Sequence, residues 1–447
     1  MKPTGKRAAV CLGWLLVAVS VHSRGADTVV GKYNGAGGCA ASSCHGSIQP
    51  KTVTRVPQNE YSIWAGQDKH ARAYQVLSNP VSIRIGKILK LEHSPSQTQR
   101  CLACHALAVP PEQRAETFDI TDGVSCESCH GPASGWLGQH TVKEWPHERS
   151  VKELGMIDLR DVAVRTHMCL HCHLGTAEKS VDHELIAAGH PDLTFELNLF
   201  SAVMPRHWKD PKDPPGKDAA WIGTKEWAVG QGMQLRDGLD RLARRARSSA
   251  WPEFAEADCF ACHHSLTKPE ESWRLVSEDY YGDRRVGVPA WNSSRYVVFR
   301  YAAEEVDAPN SETLESEIRS LSGFMNKLSG DREKIAVSAE RASSLAHTLA
   351  GELDDRSYDG PFTLRVMRRI ATDGGPISDK GQRAAEQAAM ALDSLFVVYK
   401  QNVSVSNERE LRTAIDQLFQ QLDNPSAYNA PRFAAQMQKV SALLARA

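Results

Sequence analysis

The sequence predicts a mostly α-helical protein in two unlike parts, and three observations lead to this expectation. Strand signals are sparse along the 447 residues. Ten cysteines lie between residues 39 and 262, in a stretch with much loop character. From about residue 300 the cysteines are gone and helical periodicity dominates. We therefore expect a loop-rich domain whose core is not built from side chains alone, followed by a C-terminal helical bundle.

The composition limits the classes of partner. Hydrophobic residues make up 41% of the chain, which is enough to form substantial cores. The formal net charge is −1, so bulk electrostatics do not attract nucleic acid. The length is that of two or three domains of ordinary size. We expect no nucleic-acid partner.

The first 25 residues have the pattern of a secretory signal peptide. Lys2, Lys6 and Arg7 precede an apolar run over residues 8–19, which is too short to cross a bilayer. The alternative is that this segment is not cleaved and anchors the protein to a membrane. Cys11 lies within the run and would be removed with the signal. We expect export to the periplasm or cell surface, with no integral membrane segment after cleavage.

Four cysteine pairs share the pattern Cys-x-x-Cys-His, which is typical of covalent haem c attachment. Two thiols add to the two vinyl groups of the haem as thioethers, and the two-residue gap matches the separation of the vinyl groups. The histidine after the second cysteine then coordinates the iron. The four motifs are Cys101, Cys104 and His105; Cys126, Cys129 and His130; Cys169, Cys172 and His173; and Cys259, Cys262 and His263.

A fifth pair has a longer spacer. Cys39 and Cys44 are separated by four small residues, and His45 follows the second cysteine. We interpret this as a variant attachment site with a looped-out spacer, which gives five haem c groups in all. The alternative is a disulfide between Cys39 and Cys44, which would leave His45 unexplained. Structural zinc does not require a histidine after every pair, and thioredoxin-like chemistry needs a βαβ context that is absent from the sequence pattern.

Each iron has a second axial position, so further histidines are candidate ligands. Residues 60–77 have the pattern of one amphipathic helix, and His70 lies on its apolar stripe. His140 follows His130 by ten residues, across a glycine-rich loop able to fold back over a haem. The alternative for both is an ordinary core histidine.

Three more candidates follow the fourth motif. His183 and His190 bracket a short predicted helix that ends at Gly189, and a spacing of seven residues would let both face one side. His207 precedes Trp208, an aromatic side chain able to pack on a porphyrin edge. His93, His147 and His167 are fallback candidates.

The pattern divides the chain into four segments. We expect the signal peptide over 1–25, a pentahaem cytochrome domain over 26–275, a connecting segment over 276–300, and a helical domain without haem over 301–447. Residues 219–247 have a helical pattern that ends in a basic run, Arg241 to Arg247. Such a run is usually a solvated face, and the alternative is that some of these arginines neutralise haem propionates.

The last segment is predicted to form five or six helices that cover the haem domain, with a docking or dimerisation surface as the alternative. Apolar residues recur there at helical spacing. Two of these stripes are Leu411, Ile415, Leu418 and Leu422, and Phe433, Met437, Val440 and Leu444.

Two stretches resemble the cytochrome c-554 type of multihaem c-type cytochrome. One is Trp64-Ala-Gly-Gln-Asp-Lys-His-Ala-Arg-Ala73, and the more specific one is Gly123-Val-Ser-Cys-Glu-Ser-Cys-His-Gly-Pro132, with His140 beyond it. The resemblance implies a mostly helical fold, covalently bound haem, and His70 and His140 as distal ligands. The chain departs from the tetrahaem pattern by its four-residue first spacer, its fifth motif and its helical C-terminal region.

Two functions are consistent with these features. Haems with two axial histidines are coordinatively saturated, which favours electron transfer between redox protein donors and acceptors over catalysis. The alternative is an oxidoreductase that acts on a small nitrogen or sulfur compound at one open haem. On sequence grounds the unusual first motif, with His45, is the preferred place for such an opening.

Overall fold

The computed structural model describes residues 31–54, 56–208, 220–259, 262–263, 288–327 and 330–447. The predicted signal peptide, with Cys11, lies outside these residues. The described residues form helices and no β-strand, with isolated bridges that join Tyr33 to Arg114 and Ala257 to Trp291. The predicted mostly α class is therefore confirmed.

Short helices and long connections make up the first half of the described chain. Proline or an N-capping side chain begins several of the helices, such as Asn79 before Pro80, whose side chain accepts the backbone N–H of Ser82. The helices are α1 (Glu60–Gln67), α2 (Ala73–Val76), α3 (Pro80–Ile88), α4 (Gln99–His105), α5 (Cys126–His130), α6 (His147–Leu154), α7 (Val162–His173), α8 (His183–Ala187) and α9 (Leu197–Val203).

The predicted single helix over residues 60–77 is divided into three pieces. α1 ends at Gln67, a 3-10 turn covers Lys69–Arg72, and α2 follows. Asp68 causes the break, because its extended backbone ends α1 and its carboxylate caps the next turn by accepting the backbone N–H of His70 at 3.0 Å. The same capping group therefore fixes the position of a candidate ligand.

The second half is built on longer helices. From Ser294 onward the described residues contain eight helices, more than the five or six expected. The second-half helices are α10 (Ile222–Arg247), α11 (Ser294–Val306), α12 (Ala308–Met325), α13 (Arg332–Asp355), α14 (Gly360–Thr372), α15 (Gly374–Asp379), α16 (Gln382–Asn402), α17 (Glu408–Gln420) and α18 (Ala430–Leu444).

Helix α10 is the central element of this half. Most of its residues are buried, with Trp227 fully enclosed, and it packs against α7, α11 and α13. Gly232 permits the close approach, because a Cβ there would lie 2.8 Å from the Cβ of Ala350 and 2.9 Å from the ring of Phe299. The predicted apolar stripes of α17 and α18 are buried as expected.

The apolar core is distributed unevenly. One continuous cluster runs from Val162 to Leu444 and joins α7 to the C-terminal helices. Within the described residues before Val162, the apolar clusters are small, such as the one around Leu77 and Leu102. That half is poor in side-chain core, as expected where bound haem replaces side-chain packing. The domain boundary at residues 276–300 stays a prediction.

The basic run at the end of α10 is not uniformly solvated. Arg241 and Arg245 are four residues apart on one helical face and are buried, with 6% and 3% of their surface exposed. Both bond to the buried carboxylate of Glu256. Arg244 and Arg247 face solvent. The expectation of a solvated face is therefore wrong for half of the basic residues in this run.

No helix in the described ranges is both long and apolar enough to cross a membrane.

Candidate haem-binding sites

Three of the Cys-x-x-Cys-His motifs lie on the last turn of a helix. α4, α5 and α7 end at His105, His130 and His173 respectively. Residues three and four apart share a helix face, so each motif directs its two sulfurs and its imidazole to one side. In the last motif the backbone N–H of His263 donates to the carbonyl of Cys259 at 2.9 Å, which gives the same single turn.

The variant motif reproduces this turn despite its longer spacer. The backbone N–H of His45 donates to the carbonyl of Cys39 at 3.2 Å, the same donor and acceptor as in the last motif. The spacer is folded out as a separate turn, closed by the Cys44 N–H on the carbonyl of Ala41 at 2.8 Å. The ten described cysteines are all unbonded, so Cys39 and Cys44 form no disulfide. This geometry supports the attachment-site interpretation.

Four motif histidines each face one of the candidate distal histidines. The ring centres of His45 and His140 are 6.2 Å apart, and those of His173 and His70 are 6.1 Å apart. The separation is 6.3 Å between His105 and His190, and 6.0 Å between His263 and His183. By contrast, the neighbouring rings of His167 and His171 pack at 4.5 Å.

The separation of these pairs fits an iron between two imidazoles. An imidazole nitrogen lies about 1.1 Å from the ring centre and binds a metal at about 2.0 Å, so two trans ligands have ring centres about 6.2 Å apart. All four pairs lie within 0.2 Å of that value. The residues present therefore fit haem iron with two axial histidines.

Hydrogen bonds at the other ring nitrogen support this ligand role. Nδ1 of His45 bonds to Glu60 at 2.9 Å, and Nδ1 of His70 bonds to Asp68 at 3.0 Å. The Nδ1 atoms of His105, His140 and His190 bond to backbone carbonyls at 2.7 to 3.1 Å. A proton held on Nδ1 leaves the lone pair on Nε2 for a metal.

Burial keeps two proximal imidazoles neutral. It lowers the pKa of His173 to about 4, with a smaller contribution from His70. It also lowers the pKa of His130 to about 4, together with the charges of His207, His45 and His147. The neutral imidazole is the form that binds a metal. The Asp68 hydrogen bond raises the pKa of His70 against the effect of burial.

The segment around α8 carries candidate ligands for two different motifs. His183 begins α8 and faces His263, whereas His190 follows the helix and faces His105. Arg100, beside the second motif, anchors this segment through Asp182 at 2.6 Å and Glu184 at 3.0 Å. The two histidines bracket a helix as expected, but they face the histidines of two different motifs.

His130 differs from the other four motif histidines. Among the described residues its ring has no histidine partner at a comparable separation. The charge of His207 acts on its pKa more than that of any other histidine, so His207 lies nearby. Nδ1 of His207 has only a 3.4 Å contact with the carbonyl of Pro205. His207 is thus near the third motif without completing a pair.

The motifs lie close to one another. The thiols of Cys39 and Cys126 are close enough to shift one another's pKa, as are those of Cys104 and Cys172. Burial raises the pKa of Cys129 to about 12, and Cys169 and Cys172 add to this effect. These contacts join the first motif to the third, the third to the fourth, and the fourth to the second.

One side chain with a role in this arrangement was missed in the sequence. Glu127, inside the third motif, is buried and accepts the backbone N–H groups of Asn34, Gly35 and Ala133 at 2.7 to 2.9 Å. Burial raises its pKa, and these hydrogen bonds counteract the rise. Glu127 thereby ties the chain before the first motif to the third motif. A carboxylate between two haem cysteines is the only sequence signal that could have drawn attention to it.

Comparison with known proteins shows a sequence similarity over part of the chain. Residues 39–131 match the family described as cytochrome c554 and c-prime. Cytochrome c-554 of Nitrosomonas europaea is 30% identical over 114 residues, which cover 24% of this chain and 48% of that protein. The chain thus spans about half the length of the relative it matches. No solved structure matches the chain.

These matches agree with the Cys-x-x-Cys-His motifs in pointing to a c-type cytochrome segment. Residues 39–131 are thus similar to the cytochrome c554 and c-prime family, in agreement with the resemblance seen in the sequence.

Proposed function

We propose that this chain is an exported pentahaem c-type cytochrome that transfers electrons between redox proteins. The observation that carries the proposal is the separation of 6.0 to 6.3 Å between a motif histidine and a second histidine, which occurs four times. Haem c, when bound, supplies an iron that alternates between its ferric and ferrous states. Two histidines at each of these irons leave no position for a substrate, which favours electron transfer over catalysis.

The ligand set follows from the pairs. His45 and His140 would hold the first iron, His105 and His190 the second, His173 and His70 the fourth, and His263 and His183 the fifth. His130 would hold the third, with His207 as the candidate second ligand. The thioethers would form at Cys39 and Cys44, Cys101 and Cys104, Cys126 and Cys129, Cys169 and Cys172, and Cys259 and Cys262.

The contacts between motifs support a single continuous array. Thiol contacts or charge interactions link four of the five motifs. The fifth is linked through α8 and its neighbours, because His183 belongs to the same segment as His190. Expected partners are redox protein donors and acceptors in the periplasm or at the cell surface.

The test is to express the full chain with a haem-maturation system and to record its intact mass and its EPR spectrum. We expect five covalent haems, at least four of them low-spin. A Cys39→Ser, Cys44→Ser double variant should lose the mass of one haem. Four haems in the parent protein, or the same haem count in the parent and the double variant, would contradict haem attachment at Cys39 and Cys44. A mostly high-spin spectrum would contradict paired histidine ligation.

A second candidate function rests on His130. An oxidoreductase for a small nitrogen or sulfur compound needs one iron with an open position. The sequence suggested His45, but the 6.2 Å pair with His140 argues against it, and His130 is better supported. A high-spin signal in the parent protein, together with turnover of nitrite or hydroxylamine, would support this function. If the only high-spin signal appears after His207→Ala, His207 is the sixth ligand and the site is closed.

A further inference from the structure

A cavity between the haem-bearing region and the C-terminal helices has an unusual electrostatic lining. Its wall includes His173, Phe195, Asn292, Arg295 and Arg383. A second cavity on the other side of Arg295 shares Asn292 and is bounded by Glu256. Arg295 therefore lies between two spaces in the interior. His173 is the candidate proximal ligand of the fourth haem, so the first cavity adjoins a haem site.

Arg295 has no partner of its own in the described part of the chain. No hydrogen bond or ion pair of its guanidinium is present, although the neighbouring arginines are all bonded. Burial lowers its pKa to about 9, and the nearby charges of Arg241 and Arg383 act in the same direction. The residue is partly exposed and lines both cavities. A buried guanidinium without a counter-ion is costly.

The nearby carboxylates are already bonded to other arginines. Glu256 accepts from Arg241 and Arg245, and Asp192 is paired with Arg383. Burial alone would raise the pKa of Glu256. The positive charges of Arg241, Arg245 and Arg295 have the larger combined effect and lower the pKa of this carboxyl to about 2. A third acid, Glu386, also lines the first cavity, and burial raises its pKa. Positive charge is therefore in excess around Arg295.

The start of α11 adds to this excess. Ser294 and Arg295 are the first residues of this 13-residue helix, and both line the first cavity. The N-terminus of a helix carries unpaired backbone N–H groups and a partial positive charge, which together favour an anion. Nε of Arg383, on the same wall, is buried and has no hydrogen-bond acceptor. The backbone N–H groups of Ser294 and Tyr296 already donate to Oδ1 of Asn292 and to the carbonyl of Ser293. The wall therefore offers an anion the guanidinium groups and the positive end of the α11 dipole.

We propose that Arg295, Arg383 and the N-terminus of α11 form an oxyanion-binding pocket whose ligand is a carboxylate or an inorganic anion of similar shape. The first source is a propionate of a neighbouring haem, and in that form the proposal rests on the proposed function. The second source is a free oxyanion. A guanidinium fork suits both, since both present paired oxygens, and the positive end of the α11 dipole favours their negative charge.

The test compares Arg295→Gln, Arg295→Lys and the matched control Arg247→Gln, a solvent-facing arginine paired with Glu333 and Glu340. Intact mass first establishes that each variant carries the same number of haems. Midpoint potentials are then measured by spectroelectrochemistry, with and without added sodium nitrite or sodium sulfate. Removing a positive charge beside a haem makes its ferric state easier to form.

If a propionate fills the pocket, Arg295→Gln lowers the potential of one haem, Arg295→Lys largely restores it, and added anions have no effect. If a free oxyanion fills it, the parent potential shifts saturably with nitrite or sulfate, and Arg295→Gln abolishes that shift. Both results support the pocket. Potentials in Arg295→Gln that match those of the parent and of Arg247→Gln, without any anion dependence, would overturn it.

Failure of the proposed function gives a different result. If the parent chain carries no haem, the melting temperature is measured with sulfate instead. A ligand that binds only the native state raises it. If sulfate raises the melting temperature of the parent but not that of Arg295→Gln, the pocket binds an oxyanion in the absence of haem. If sulfate changes the melting temperature of both proteins equally, the proposal is contradicted.

Discussion

At the scale of single residues, the ligand role of a histidine depends on which ring nitrogen keeps its lone pair. Carbonyls of Trp136 and Pro191 hold Nδ1 of His140 and His190, and the carboxylate of Asp68 holds that of His70. Each contact orients a ring toward the histidine that faces it. Local sequence spacing determines neither the orientation of a histidine ring nor the partner of its Nδ1. The sequence could therefore predict only a set of candidate distal ligands.

We predict that His140→Ala and His190→Ala each convert one low-spin haem into a high-spin haem. Loss of the sixth ligand leaves His45 or His105 as the only protein ligand of its iron. EPR spectra of the oxidised variants report the change. His93→Ala is the control, because His93 is exposed and faces no motif histidine. A spectrum that is unchanged in both distal variants would contradict the assigned pairs.

The buried carboxylate of Glu256 should make stability depend on pH. Its folded-state pKa of about 2 lies below the ordinary value of 4.5, so its contribution is present above the ordinary value and is lost as pH falls toward 2. Glu256→Gln removes one partner of a buried charge cluster and should cost about 3 to 5 kcal/mol near neutral pH.

Chemical unfolding at several pH values measures this contribution. The difference in unfolding free energy between the parent and Glu256→Gln should shrink as the pH is lowered from 5 to about 2. Glu333→Gln, which breaks an exposed pair with Arg247, should have little effect at any pH. A difference that stays constant with pH would show that the charge of Glu256 is not what stabilises the cluster.

At the scale of elements, three of the motifs lie on the last turn of a helix with a defined end. α5 ends at His130, and Gly131 continues with a φ of +80°. A Cβ at Gly131 would lie 2.6 Å from the carbonyl oxygen of Gly155. This glycine therefore permits both the backbone conformation and the close approach beside the third motif.

Gly131→Ala should destabilise the protein by about 1 to 3 kcal/mol, because alanine is strained at positive φ and has no room there. Gly66→Ala is the matched control: it lies within α1, with nothing near its added Cβ. That change should be neutral or stabilising by up to about 1 kcal/mol, as in helix interiors. Urea unfolding curves of both variants measure the contrast, and equal effects would refute it.

Helices predicted from apolar periodicity agree with the structure in some places and not in others. Apolar stripes on α17 and α18 are buried because packing of amphipathic helices is decided by local spacing. The helix expected over residues 60–77 is divided, because the capping carboxylate of Asp68 competes with helix continuation. The basic run on α10 is divided between core and solvent, because the partner of Arg241 and Arg245 is Glu256, which comes after the helix ends.

At the scale of the whole molecule, one apolar core extends from α7, which carries the fourth motif, to the last helix. The fourth motif and the packing of the bundle therefore share one helix. This continuity predicts that the helical region and the fourth haem site unfold together, even though the sequence divides the chain at residues 276–300.

Phe396, fully buried on α16, tests this coupling. Phe396→Ala should cost about 3 to 5 kcal/mol and lower the thermal transitions of helical circular dichroism and of haem absorbance together. Ile48→Ala, at a side chain with 86% of its surface exposed, should change neither transition. Loss of helical signal at a temperature where haem absorbance is still native would contradict shared unfolding and favour separate domains.

The sequence alone predicts the attachment chemistry, because two thiols and a proximal histidine lie within five to seven consecutive residues. It also determined the mostly helical class, because helical periodicity is a local property. Only the tertiary structure decided which distal histidine faces which motif, since His70 and His173 are about a hundred residues apart in the chain. It also decided that two arginines of a basic run are buried and that Arg295 is left without a carboxylate, because the balance of buried charge depends on residues brought together from four separate segments.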